Sequence, residues 1–554
     1  MAGLAAVQYA VDTFDSRRAK VMGRQVASQG FLQAWVGHSG ADPLTGWVDT
    51  QSDSAAFERH VADLGATTAV RVATFADVAP LKAAGALWLG DPGIARRSWH
   101  RRWYDQKAWS LVGITHTIAS HAAMAQVVDL IRAPVQPWDA LICTSRPARD
   151  AVRAVMEAEA YYLAERIGAR RFPIPELPVI PLGVDCASFG YGEATRTRWR
   201  DRLGIGPDDV AVLQFGRLAV HAKAHPVPLF MALKEASGRL HRPLHIIFAG
   251  QFPNEGQRDD YRRIAQQIGP SVVTHFVDGS SPDAGDVRAA ADIGALLSDN
   301  IQETFGLAPV ELMAAGLPVV GSDWDGLRDT IDHGVTGFRA ATVIPQVGVG
   351  EHLAFRYGKL DSFDAYLGGV AQSVAVDIGQ AAGAFETLAR DPDRRRSMGD
   401  AARRRALEHY DWPVIIKAYR ELLLQLETLR CGATPEIAPK GTTGAVADPA
   451  NMDPFRAFAS YATKALAADT LLTIGSSPPK DIASVLGGPL ITRLHGPALP
   501  AIEDMETLRA ALSGEPLSAL SLCQIIPGTQ PGRAMAGIAW LLKFGFARIM
   551  QEAR

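Results

Sequence analysis

Short apolar runs rich in β-branched residues alternate along this chain with longer stretches of helical pattern, the order expected of a parallel sheet covered by helices. In the first part the runs Ala5–Tyr9, Thr68–Val72, Ala86–Leu89, Ser110–Thr115, Ala140–Thr144 and Pro178–Pro181 predict strands. Between them, Arg149–Ile167 has the Ala, Glu, Arg and Tyr composition of an amphipathic helix. The turn-rich PLGVDCASFGYGE, Pro181–Glu193, interrupts the pattern and predicts a domain boundary. A second alternation follows, with strands predicted at Val210–Gln214, Leu244–Ala249, Val272–Val277, Ile293–Leu297 and Pro318–Gly321. A long helix over Trp412–Thr428 is expected to close this second half. Two α/β halves with a cleft between them are therefore expected.

Cys431–Asn451 reads as a linker, rich in Gly, Pro, Thr and Ala. The residues beyond it look mostly helical. The expected organisation is an N-terminal domain over 1–185, a second domain over 186–430, the linker 431–451 and a small, mainly helical domain over 452–554.

Composition bounds the function without choosing it. The chain has 554 residues, too many for one core, with 47% hydrophobic and 21% charged residues, as in ordinary globular enzymes. A formal net charge of -3 supplies no global field for nucleic acid or an anionic membrane. The most apolar stretch, Ala536–Phe546, carries Lys543 and is too short to span a bilayer. No basic segment precedes the first apolar run, so no signal peptide is read there. The four cysteines show no metal-type spacing and fit reduced thiols in a cytosolic protein.

The most informative segment is QETFGLAPVELMAAGLPVVGS, Gln302–Ser322. It predicts a helix over Phe305–Ala315, stopped by Gly316 and Pro318, with small residues at its start. A helix N-terminus offers unpaired N–H groups and a positive dipole end, which suits a diphosphate. Glu303 precedes the helix and Glu311 follows two turns on, and carboxylates there can accept from ribose and sugar hydroxyls. Two glutamates alone would more often be an acidic first turn and a surface residue. Together with their FGL and AGLPVV context they resemble the Glu-x7-Glu pattern of retaining glycosyltransferases, closest to glycosyltransferase family 4. The resemblance implies that Glu311 binds the nucleotide ribose and that Glu303 contacts the donor sugar. It also implies that the backbone at Phe305, Gly306 and Leu307 holds the phosphates and sugar.

A second segment, FGRLAVHAKAHP (Phe215–Pro226), follows the strand predicted at Val210–Gln214. Arg217 and Lys223 stand where the family's arginine and lysine bind the donor diphosphate. Fixed cations there would stabilise the charge that a leaving nucleoside diphosphate gains as the glycosidic bond breaks. His221 and His225 flank Lys223, but Pro226 and the absence of a third ligand argue against a metal pair. Asp323-Trp324-Asp325 mimics an Asp-x-Asp metal motif, yet its place after the Pro318–Gly321 strand favours a turn at Asp325-Gly326. No metal or resident cofactor is expected, and the nucleotide sugar enters as co-substrate.

In the first half, Gly23, Arg24 and Gly30 match the place of the family's N-terminal glycine loop without its usual double glycine. A plain loop and helix start is the equal alternative. His116, at the end of the strand Ser110–Thr115, corresponds to a family histidine that contacts the donor sugar. ARRSWHRRW, Ala95–Trp103, fits either an anionic, lipid-linked acceptor or a solvated helix face with packed tryptophans, the latter being favoured. The C-terminal SSPPKDIASVLGG and RAMAGIAWLLKFGFARI weakly resemble a winged-helix-like module, of the kind that mediates dimer contacts.

The resemblance covers roughly residues 1–430. It implies an α/β fold of two Rossmann-like domains facing across a cleft, termed GT-B, and a retaining, metal-independent hexosyltransferase. Such enzymes are usually assigned a front-face route, with Arg217, Lys223, Glu303 and His116 as catalytic residues. The donor contacts would be Glu311, Phe305, Gly306, Leu307, Gly23 and Arg24. The expected partners are a nucleotide-sugar donor and a glycan or glycolipid acceptor, with no nucleic acid. A cytoplasmic location leaves room for peripheral contact at the inner membrane face and for a homodimer through the C-terminal module. The rival readings are an epimerase-like sugar-nucleotide enzyme and a non-catalytic nucleotide-binding scaffold.

Overall fold

The computed structural model describes residues 4–14, 23–434, 447–476, 481–486 and 498–550. The chain divides into two compact units, Met1–Asp448 and Pro449–Arg554.

The first unit contains two six-stranded parallel sheets. One is built from β1 (Ala6–Gln8), β2 (Leu44–Trp47), β3 (Val70–Ala73), β4 (Ala86–Trp88), β5 (Ser110–Ile114) and β6 (Ala140–Ile142), in the order β3-β2-β1-β4-β5-β6. The other is built from β7 (Ala211–Phe215), β8 (Leu244–Gly250), β9 (Val272–Asp278), β10 (Ile293–Leu296), β11 (Val319–Ser322) and β12 (Gly337–Ala340), in the order β12-β11-β10-β7-β8-β9. Every residue of β5, β8, β10 and β11 is buried, as strands covered on both faces require. In each sheet the strand order reverses beside the first strand, between β1 and β4 and between β7 and β10. A crevice opens outside the C-terminal strand ends at such a reversal, and open α/β sheets bind ligands there.

Two strands of these sheets escaped the sequence pattern. β2 reads LTGW, and its Gly46 lies where a Cβ would come within 2.6 Å of the Phe57 ring. β12 reads GFRA, a short edge strand. Conversely, Pro178–Pro181 forms no strand: Glu176 and Val179 make isolated bridges to Ala140 and Cys143. Prolines at 173, 175, 178 and 181 remove the donors that a continuous ladder needs.

The helix Trp412–Gly432 belongs to the core of the first half, whereas the sequence pattern assigned it to the second. Its buried stripe of Ile415, Ile416, Tyr419, Leu422, Leu423 and Leu426 packs with Phe31, Trp35 and Trp88. The spacing of that stripe repeats at helical period but carries no information about which sheet receives it. The chain thus passes between halves twice, near Val184 and near Asp411. These passages are joined, since Val184 N–H donates to Tyr410 O (2.8 Å) and Trp412 N–H donates to Val184 O (3.3 Å).

A short antiparallel pair, β13 (Thr342–Val343) and β14 (Ala375–Val376), flanks the second sheet's domain. In the second unit β15 (Leu471–Ile474) lies between β16 (Leu517–Ser518) and β17 (Ala547–Ile549), all antiparallel. The helices Ile502–Ala511, Ala519–Ile525 and Pro531–Lys543 cover this sheet through Leu508, Leu522, Ile538 and Leu541. Of the segments read as winged-helix-like, residues 477–480 and 487–488 lie outside the described residues, as do 435–446 of the linker. Among the described residues no helix is long and apolar enough to cross a membrane.

Candidate functional site

Two loops converge at the β7/β10 reversal. After β7 the chain turns at Gly216, whose φ of +120° favours glycine, and presents Arg217. The loop continues to Lys223 and ends at His225, whose Nδ1 accepts from Val227 N–H and caps the helix Pro226–Leu240. His221 precedes that helix and faces Asp364 at 3.6 Å. Among the described residues no group of three or more His, Cys, Asp or Glu side chains is placed to hold a metal ion.

After β10, the loop Ser298-Asp299-Asn300 anchors the Lys223 loop. Asn300 Nδ2 donates to Lys223 O (2.6 Å) and Asp299 Oδ2 accepts from His225 N–H (3.0 Å). Burial pushes the Asp299 carboxyl up to about 7, against the N–H groups of His225 and Asp299 that favour its ionised form.

Glu303 and Lys223, 80 residues apart in sequence, form an ion pair at 2.5 Å. Glu303 Oε1 accepts from Gly306 N–H (3.2 Å), so both carboxylate oxygens are engaged. Burial alone would raise this carboxyl. The charge and hydrogen bond of Lys223, with the N–H groups of Gly306 and Thr304, outweigh burial and hold it below the usual range. Arg217 makes no side-chain hydrogen bond or ion pair among the described residues, so its charge is uncommitted.

The helix expected from Phe305 starts later, at Leu307, and runs to Ala314. Gly306 precedes it at φ +87°, and a Cβ there would lie 2.8 Å from Leu327 Cδ2. Phe305 is buried against Tyr410, with ring centroids 5.8 Å apart. Its side chain is thus core, and only its backbone is available to a ligand. Asp325-Gly326 forms the expected turn, with Asp325 at φ +37°. Burial, and next the negative charge of Glu303, keep the Asp325 carboxyl well above the usual range.

Glu311 reaches the cleft, as its place two turns along suggested. It lines a cleft of about 520 Å³ between the halves, with Leu307, Phe189, Asp185 and residues of the helix Gly23–Gly37. One oxygen is held by Arg288, a residue the sequence reading passed over. Burial raises the Glu311 carboxyl despite Arg288 and Lys223. The signal was present: a lone arginine in the apolar run VRAAADIGAL must find a partner or remain solvated.

The first-half candidates distribute differently. Gly23 and Arg24 open the helix Gly23–Gly37 rather than a loop before it, and their side-chain environment lies outside the described residues. Gly30 is within that helix, where a Cβ would meet Trp412 at 3.1 Å, so close helix packing accounts for it. His116 follows β5 and lines a small cavity with Ser28, Trp88 and Tyr419. It is linked to the site through its neighbour: Thr115 Oγ1 accepts from Thr144 N–H (3.2 Å), and Ser145 Oγ donates to Thr304 O (2.6 Å).

ARRSWHRRW is mostly packed inward rather than solvated. Arg101 and Asp139 form a fully buried two-point pair at 2.6 and 2.8 Å, and Arg97 binds Asp49 at 2.9 Å. Burial, then the charge of Arg97, push His100 down to about 4. Arg96 remains exposed at a cleft of about 500 Å³ that Gln8, Asp91, Trp99 and Gln126 also line.

Residues 195–345 match the family described as glycosyl transferases group 1, a span containing Arg217, Lys223, Arg288, Glu303 and Glu311. The D-inositol 3-phosphate glycosyltransferase of Nocardia farcinica is 30% identical over 244 residues, 42% of this chain and 51% of its own. Its namesake in Actinosynnema mirum is 33% identical over 170 residues, 29% of this chain and 39% of its own. The chain therefore spans about half the length, or less, of these curated relatives. Among solved structures, that of Anabaena Alr3699/HepE in complex with UDP is 18% identical, covering 77% of this chain and 100% of that one, with a TM-score of 0.50. Two parallel six-stranded sheets in reversed order, facing across a cleft and superposable on that structure, make the first unit a GT-B fold.

Proposed function

We propose that this chain is a retaining, metal-independent glycosyltransferase that moves a hexosyl group from a nucleotide sugar to a glycan or glycolipid acceptor. The observation that carries the reading is the Lys223–Glu303 ion pair at the β7/β10 reversal, with Arg217 on the loop that leaves β7 and Glu311 lining the cleft. Arg217 supplies an uncommitted cation for the donor diphosphate, and Lys223 supplies a second once the diphosphate competes with Glu303. Glu303, freed in turn, accepts from hydroxyls of the donor sugar, with His116 approaching from the first half. Asp325, held neutral, adds no second negative charge beside the phosphates.

The family match over 195–345 supports sugar transfer, and UDP in the Anabaena structure supports a nucleotide-linked donor. The cleft at Arg96 and Trp99 supports acceptor binding on the first half, because an aromatic face beside polar groups suits a sugar ring. The relatives' name favours a second acceptor class, a phosphorylated polyol, for which Arg96 offers charge. The C-terminal unit is read as a winged-helix-like protein-contact module that supports a homodimer. A cytoplasmic location with peripheral membrane contact completes the reading.

The test is a thermal-shift screen with UDP, GDP, ADP and CDP, followed by release of free nucleoside diphosphate and the anomeric configuration of the product by NMR. Lys223→Ala is expected to lower turnover about 10²- to 10³-fold, the scale of a lost donor at developing charge, while the protein stays folded. Near-normal transfer by that variant, or no shift with any nucleotide, overturns the reading.

A further inference from the structure

Arg288 stands on the turn Ala284–Ala290 between β9 and β10, outside every segment that suggested sugar transfer. Its guanidinium is nonetheless held from several sides. Nη2 donates to Glu311 Oε2, and Nη1 donates to Gly285 O at 3.1 Å. The guanidinium lies 3.6 Å from the centroid of Phe215, at the end of β7, and 5.0 Å from that of Phe189. Only 7% of its side chain is exposed, against 18% for Glu311.

This arrangement does more than neutralise a charge. Two rings and a carbonyl fix the guanidinium, and the guanidinium fixes one oxygen of Glu311. Glu311 Oε1 has no hydrogen bond among the described residues, and Glu311 lines the cleft. Burial works against the ionised carboxyl. Without a cation at Oε2, Glu311 would take up a proton more readily and rotate, and a protonated carboxyl donates where a ligand hydroxyl needs an acceptor.

We propose that Arg288 is a positioning residue for nucleotide recognition, holding Glu311 so that Oε1 accepts a hydrogen bond from a ribose hydroxyl. The proposal rests on the nucleotide-sugar reading of the site. It assigns ribose selectivity to a pair in which only Glu311 meets the ligand. Arg288 itself acts from behind, through Phe215 and Phe189.

The experiment is isothermal titration of the full chain with UDP, GDP and ADP, each against its 2′,3′-dideoxy form, between pH 6 and 8.5. The wild type is expected to prefer the ribose form about tenfold or more, the scale of a hydrogen bond to a charged group. Arg288→Met, which keeps an apolar stem between the two rings, is expected to reduce that preference below about threefold while affinity for the dideoxy form changes little. Its residual preference should fall further at pH 6. Arg288→Lys should recover part of the preference, and Arg288→Met should add nothing in a Glu311→Gln background. The proposal fails if Arg288→Met keeps the wild-type preference, if both forms weaken equally, or if the wild type does not discriminate. Absence of any nucleotide binding by the wild type would instead remove the underlying reading.

Discussion

Asp299 offers a test of the site's scaffold that needs no substrate. Its carboxyl is buried, 4% exposed, and sits under the loop that carries Lys223. A rise from 3.8 to about 7 is about three pH units. At ~1.4 kcal/mol per unit, the ionised form costs the folded state about 4 kcal/mol. The sign follows from linkage: the native state holds this proton more tightly than the unfolded chain. Between about pH 4 and pH 7 the native state therefore binds more protons, and stability falls as pH rises through that window. Asp299→Asn keeps an oxygen to accept from His225 N–H and removes the ionisation. The variant should exceed the wild type by about 1–2 kcal/mol at pH 5, where the unfolded carboxyl is already ionised and the native one is not. At pH 8 it should exceed it by about 2–4 kcal/mol, the smaller value applying if the amide leaves one N–H unpaired. Urea unfolding of both proteins at pH 5, 6, 7 and 8 measures the difference directly. A constant difference across that range would refute the reasoning, because it would mean that Asp299 titrates normally.

Arg101→Met should cost about 3–5 kcal/mol by leaving Asp139 a buried, unpaired carboxylate, read as a lowered urea midpoint with little change in nucleotide affinity. Gly326→Ala should weaken nucleotide-sugar binding, measured by titration. Its Cβ would come within 2.5 Å of Phe305 O and displace the turn that carries Glu303. Since Gly326 has φ -64°, the effect would be steric and not backbone strain. An Ala variant binding like the wild type would show that this turn yields freely.

The fold was legible where burial alone decides it. β7, β8, β10 and β11 are near-continuous apolar runs, interrupted by Gln214 and His245 and ending at Ser322, because both faces are covered, and such runs announce themselves. β2 did not, since Gly46 interrupts its run for the sake of the Phe57 ring. The helix Trp412–Gly432 was legible as a helix, but its partner was not, because a stripe of apolar residues fits either sheet. At the site, residue types and spacing within Gln302–Ser322 were readable, whereas contacts across long separations were not. Nothing local to Lys223 names Glu303, and nothing local to Glu311 names Arg288. The start of the helix at Leu307 rather than Phe305 depends on Gly306 adopting a positive φ, which sequence permits but does not dictate.

The two passages between the halves are hydrogen-bonded to each other at Val184, Tyr410 and Trp412. A pair of separate tethers would let the halves twist, slide and gape independently. Fastened side by side, these two behave as a single hinge pin, with Trp412 packed over Gly183 as its bushing. Relative motion of the halves would then favour a swing about that line over independent twisting or sliding. Ser145 and Arg146 of the first half meet Thr304 and Asp329 close to that pin, since Asp329 O accepts from Tyr410 OH at 3.2 Å and Phe305 packs on the Tyr410 ring. The Glu311 end of the cleft lies beside Asp411 and Trp412, so a swing about this pin would leave it nearly still.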